Sequence, residues 1–67
     1  MESLTATMVM LVKEQRKEKP EMSNNDIHEY IDEVIQDGIT MKEISLKDYQ
    51  AYQANPYMFT LRVINSL

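Results

Sequence analysis

The chain has 67 residues, a net charge of −4 and no cysteine, which excludes disulfides and thiolate metal sites. Its length fits one domain, and its longest apolar run, residues 8–12, is far shorter than the ~20 residues that cross a membrane. We therefore expect one soluble, cytoplasmic domain over residues 1–67, whose acidic balance disfavours non-specific binding to nucleic acid.

The first predicted helix runs from about Ser3 to Lys19. Its apolar residues recur at the i, i+4, i+7, i+8 spacing of a helix face: Leu4, Met8, Leu11 and Val12. Pro20 ends this helix, because the residue before a proline avoids the helical region. The segment 5–12 would also tolerate a strand.

The second predicted helix, from about Asn24 to Asp37, has the clearest pattern. Ser23 can cap its first turn, with Asp26 three residues later near the positive end of the helix dipole. A single apolar stripe follows at helical spacing: Ile27, Tyr30, Ile31, Val34 and Ile35. Gly38 stands where a left-handed residue would stop the helix.

Two shorter segments complete the chain. Ser45 with Asp48 favours a third helix over residues 46–54, although Thr40 with Glu43 offers an earlier start and a turn from Met41. Asn55 followed by proline is a coherent start for a fourth helix. Alternating apolar residues over 57–64 also fit a strand, which would pair with residues 5–12. The sequence predicts a small all-α bundle of three or four helices, with helices plus this C-terminal strand as the alternative.

No motif for catalysis or metal binding is complete. If Gly38 is the sixth position of a calcium loop, Ile35 and Ile44 occupy the third and twelfth positions, which require oxygen ligands. His28 and Asp32, four residues apart on one helix face, do not close a tetrahedral zinc site. His28 is also the only candidate base, with no glycine-rich or nucleophile motif near it. We predict a protein that is not an enzyme and holds no metal or cofactor, with His28 exposed to solvent or at the boundary of the domain.

Five carboxylates occupy the second helix, and no lysine or arginine lies among them: Asp26, Glu29, Asp32, Glu33 and Asp37. On a wheel of about 100° per residue they lie opposite the apolar stripe. This acidic face has two interpretations. It is either a solvated surface that keeps the protein soluble, or a patch that binds a partner with a basic surface.

The first and fourth segments carry more apolar residues than one small core can absorb. We predict an assembly surface built from the following residues: Val9, Met10, Tyr57, Phe59 and Val63. Because short chains often need a partner for stability, we expect a homodimer or a larger complex.

These features predict a non-catalytic interaction or regulatory protein, of the type that serves as an accessory protein of a phage or mobile element. The alternative is a helix-turn-helix DNA-binding regulator formed by the second and third helices. Its phosphate contacts would come from the basic residues Lys13, Arg16, Lys17, Lys19, Lys42 and Lys47.

Overall fold

A computed structural model describes residues 3–67, which form four helices and, within that range, no strand. The helices are α1 (Leu4–Glu18), α2 (Asn24–Thr40), α3 (Leu46–Ala54) and α4 (Pro56–Asn65). The all-α prediction is confirmed. The strand alternative for 57–64 is wrong, because those residues are helical in α4. Across residues 3–67, none of these helices combines the length and the apolar character that crossing a bilayer requires.

Each helix begins at a side chain that accepts a hydrogen bond from a backbone N–H three residues later. These caps are Ser3, Ser23, Ser45 and Asn55, with distances of 3.1–3.2 Å. At Ser23 the cap is reciprocal, because the Asp26 carboxylate accepts from the Ser23 N–H at 3.1 Å. Each cap contributes about 1 kcal/mol. The helix starts are therefore encoded locally. Asn55 has two roles, since it ends α3 and also begins α4.

The core draws on all four helices. Its buried apolar residues are Met8, Val12, Ile27, Ile31, Ile35, Tyr52, Phe59 and Val63. α2 packs against each of the other three helices, and so does α4. The stripe predicted on α2 is therefore covered from three directions. Burying a side chain of this size contributes roughly 1.5–3 kcal/mol.

The end of α2 differs from the prediction. Gly38 does not stop the helix, which continues to Thr40, and the left-handed residue is Lys42 with a φ of 60°. The Glu43 N–H donates to the Gly38 carbonyl at 2.8 Å, and the Lys42 N–H donates to the Ile39 carbonyl at 3.2 Å. This pair of bonds is the Schellman arrangement, which satisfies two helix-end carbonyls.

Gly38 has a packing role instead. It is buried inside α2, and an ideal Cβ at this position would overlap with Cδ1 and Cγ1 of Ile44. The residue after the turn therefore folds back onto the helix where a side chain is absent. Glycine is favoured here by this close approach and not by its backbone angles.

We expect Gly38→Ala to lower the free energy of unfolding by about 1 kcal/mol. Overpacking against Ile44 costs typically about 1–3 kcal/mol, which exceeds the roughly 0.5–1 kcal/mol that alanine gains over glycine inside a helix. In an Ile44→Ala background the same change should instead be stabilising, because the obstructing atoms are gone. Urea denaturation of the wild type, the two single variants and the double variant measures this reversal of sign. Stabilisation in both backgrounds would contradict the packing role.

Lys42→Gly should raise the free energy of unfolding by roughly 0.5–1 kcal/mol, because a left-handed conformation strains every residue that has a Cβ. Lys42→Ala is the matched control, since it removes the same charge and keeps the strain. Thermal and urea denaturation should show a gain for the glycine variant alone. An equal gain in both variants would assign the effect to charge.

Candidate interaction surface

Four carboxylates form an exposed line along α2, three or four residues apart: Asp26, Glu29, Glu33 and Asp37. In the part of the chain that the structure describes, the single ion pair within 4.0 Å joins Lys17 Nζ to Glu14 Oε1 at 3.1 Å, on α1. The α2 line therefore has no cation in contact with it among residues 3–67. Asp26 also has a structural role through its bond to the Ser23 N–H.

Asp32 does not share the fully exposed setting of these four residues. Its side chain is half-buried, and Oδ1 accepts a hydrogen bond from the Tyr52 hydroxyl at 2.7 Å. The prediction that all five carboxylates face water is corrected at this position. Asp32 lies at the edge of the apolar stripe, where α3 can reach it, so its carboxylate joins two helices.

Tyr52 is the buried partner in this bond, with a side chain that is 1% exposed. Its ring meets Phe59 of α4 edge to face, with centroids 5.3 Å apart. Burial, together with the neighbouring Asp32 carboxylate, raises the pKa of Tyr52 above its ordinary value. One residue of α3 thus connects the polar side of α2 to the core.

A second polar link joins the same two helices one turn further along. The Tyr49 hydroxyl donates to Gln36 Oε1 at 3.1 Å and accepts from Gln53 Nε2 at 2.8 Å. Tyr49 and Tyr52 are three residues apart on α3, and their acceptors are four residues apart on α2. The matching spacing fixes the register of the two helices.

His28 lies at the boundary of the core and contacts two side chains of α4. It is half-buried, its Nδ1 lies 2.7 Å from the Thr60 Oγ1, and its ring stacks on Tyr57 with centroids 4.5 Å apart. Thr60 is itself only 4% exposed, so this bond satisfies a buried hydroxyl. His28 therefore joins α2 to α4. Among residues 3–67, no group of three or more His, Asp or Glu side chains is arranged to hold a metal ion.

The predicted assembly surface is divided by the fold. Phe59 and Val63 fill the core, so they are not available for an exposed surface, and Val9 is half-buried. Met10 on α1 and Tyr57 on α4 are 51% and 70% exposed. Two further exposed apolar residues, Met58 and Leu61, lie close to Tyr57 along α4. The sequence interpretation did not separate the core face of α4 from its outer face.

Two depressions lie between α1 and α2. One, of about 400 Å³, brings the N-terminal half of α1 against the C-terminal end of α2 and the turn that follows. The other, of about 360 Å³, brings Gln15 of α1 and Lys19, which follows α1, against the N-terminal half of α2. The two helices therefore run antiparallel, and the two depressions together are called the α1–α2 furrow below.

Comparisons with protein-family models, curated proteins and solved structures gave no match to this chain.

Tyr52→Phe should lower the free energy of unfolding at neutral pH by about 1–2 kcal/mol, because a hydrogen bond to a charged carboxylate is lost. The raised pKa also predicts a pH dependence. Above about pH 10 the unfolded chain loses the tyrosine proton and the folded chain keeps it, so stability should fall by up to about 1.4 kcal/mol per pH unit. The phenylalanine variant should lack this contribution.

Urea denaturation of wild type and Tyr52→Phe from pH 8 to 11 measures both effects, and the difference between the two proteins cancels the titration of other groups. Parallel stability curves above pH 10 would contradict the buried hydroxyl–carboxylate bond.

Proposed function

We propose that this chain is a non-catalytic interaction protein, with a regulatory role in the cytoplasm, that binds a basic surface of a partner protein through the acidic face of α2. The observation that carries this proposal is the line of four exposed carboxylates with no cation in contact among residues 3–67.

The electrostatics of α2 favour a binding role over a stabilising one. Like charges three or four residues apart on a helix repel by a few tenths of a kcal/mol per pair. Glu33 has such a neighbour on either side, Glu29 and Asp37. Lysines placed between them would convert the repulsion into attraction. A cationic partner would relieve the same repulsion, and the acidic field would accelerate its approach.

The half-buried polar groups His28 and Asp32 support a non-catalytic role. His28 is held by Thr60 and Tyr57, and Asp32 is held by Tyr52. These groups are satisfied by one another in contacts that join helices. A general base must instead be free to reach a substrate proton.

Self-association is a secondary part of the proposal. Tyr57 and Leu61, four residues apart, form an outer apolar face of α4 together with Met58. The side chain of Tyr57 is mostly exposed, and those of Leu61 and Met58 are about half exposed. A second chain covering this face would remove apolar area from water, which is a common way for a small domain to gain stability.

The test is affinity capture from a lysate, followed by direct binding measurements with the purified partner. We expect the double variant Glu29→Gln/Glu33→Gln to bind that partner about tenfold more weakly, and added salt to weaken binding by the wild type. Folding should be retained or slightly stabilised, because the variant removes a repulsive pair.

The matched control is Glu18→Gln/Glu21→Gln, which removes the same charge at exposed positions outside α2. It should bind almost as well as wild type. Equal loss in both variants, or no loss in either, would contradict the proposal. If the protein instead binds double-stranded DNA, and its affinity falls with added salt as expected for the release of several counterions, the helix-turn-helix alternative is supported.

A further inference from the structure

The two depressions of the α1–α2 furrow lie along one stripe of each helix. Between its two depressions, the lining on α2 steps from Tyr30 to Val34 and from Glu33 to Asp37, and the lining on α1 steps from Leu11 to Gln15. Each step is four residues, which keeps successive side chains on the same side of a helix. The 15 residues of α1 give the furrow a length of about 22 Å.

The floor of the furrow contains incompletely covered apolar side chains, more of them in the first depression than in the second, which is lined mainly by polar side chains. Six half-buried side chains line it: Leu4, Leu11, Met22, Tyr30, Val34 and Ile44. Ile44 reaches the floor because its side chain packs over Gly38. Each of these residues packs against the core and keeps part of its surface open. Apolar side chains of a ligand would bury this remaining area.

The charged side chains around the floor indicate which kind of ligand the furrow can bind. The two depressions are lined by six carboxylates and one cation, Lys19; the carboxylates are Asp26, Glu29, Glu33, Asp37, Glu43 and Asp48. By contrast, the depression at the C-terminal end of α1 is lined by Lys13, Arg16 and Lys17. The apolar floor of the furrow is thus enclosed by negative charge, which disfavours an anionic ligand and attracts a cationic one.

We infer that the α1–α2 furrow is a docking site for a cationic amphipathic helix of a partner protein. An apolar stripe of this helix would lie on the floor, and its lysines and arginines would meet the carboxylates along the rim. A groove between two packed helices has the shape that accepts a third helix, and amphipathic helices bind to proteins in this manner. The inference rests on the proposed function, to which it adds the class of partner and the binding geometry.

The probe is a synthetic peptide of roughly 15 residues, which as a helix spans about 22 Å. It carries leucine along one face and lysine and arginine elsewhere. Its control has the same composition in a scrambled order, so both peptides carry the same charge. We expect the amphipathic peptide to bind about tenfold more tightly than the scrambled one, because only it presents a stripe to the floor. Equal affinities would overturn the inference.

Two threonines of α1 supply matched variants. Thr7 and Thr5 are both half-buried, but Thr7 lines the furrow and Thr5 lines a depression between α1, α3 and α4. Thr7→Arg should weaken binding of the amphipathic peptide by about tenfold, and Thr5→Arg by less than about twofold, since only the first obstructs the floor. Equal weakening by both variants would overturn the inference, because the two carry the same added charge.

A second variant that blocks the furrow tests whether a folding defect explains the effect of Thr7→Arg. Met41 lines the same furrow and is 66% exposed, so Met41→Arg leaves the core intact. It should weaken the peptide to a similar degree. Circular dichroism confirms that each variant is folded, and NMR shift changes on peptide addition should concentrate at Leu11, Val34 and Ile44. Changes concentrated at Tyr57 and Leu61 instead would overturn the inference.

The outcomes separate this inference from the proposed function. If Glu29→Gln/Glu33→Gln loses the captured partner but Thr7→Arg and Met41→Arg keep it, the acidic face binds without a seated helix, and only the inference fails. If the peptide experiments succeed but capture is insensitive to Glu29 and Glu33, the furrow binds cationic helices and the proposed function fails. A furrow filled by a second copy of this chain would appear as self-association that Thr7→Arg abolishes, which also overturns the inference.

Discussion

Three isoleucines of α2, Ile27, Ile31 and Ile35, form the stripe on which the rest of the domain depends. The other three helices pack against α2, and all three isoleucines are almost fully excluded from water. Because the stripe uses one side of α2, the charged residues of that helix are confined to the other side. The hydrophobic effect therefore sets both the core and the position of the acidic face.

The helix positions could be predicted from the sequence because the signals are local. Ser23 and Ser45 each cap a helix through a bond that spans three residues, and Pro20 excludes helix from the residue before it. The end of α2 could not be predicted in the same way. A glycine near a helix end has the same sequence signature whether it supplies a left-handed residue or a close approach. At Gly38 the decision rests on Ile44, which packs against it only in the folded chain.

The candidate site could be predicted in composition but not in shape. The carboxylates of α2 are evident from the sequence, but the apolar floor beside them requires an antiparallel α1. Contacts between distant residues were missed for the same reason: Asp32 with Tyr52 is separated by 20 positions, and His28 with Thr60 by 32. For α4, the spacing of Phe59 and Val63 indicates one face of a helix. Only the packed structure identifies that face as the interior and leaves Tyr57 outside.

The junction at Asn55 has a consequence for how the domain can move. One residue serves as the end of α3 and the start of α4, so no flexible segment separates the two helices. Opposite motions of the pair would have to break the cap bonds at Asn55 and the edge-to-face contact of Tyr52 with Phe59 together. These contacts favour joint movement of α3 and α4 against α2. If a helix docks in the furrow as inferred, adjustment to it would fall to the turn after α2 and to the loop between α1 and α2, whose residues line the furrow.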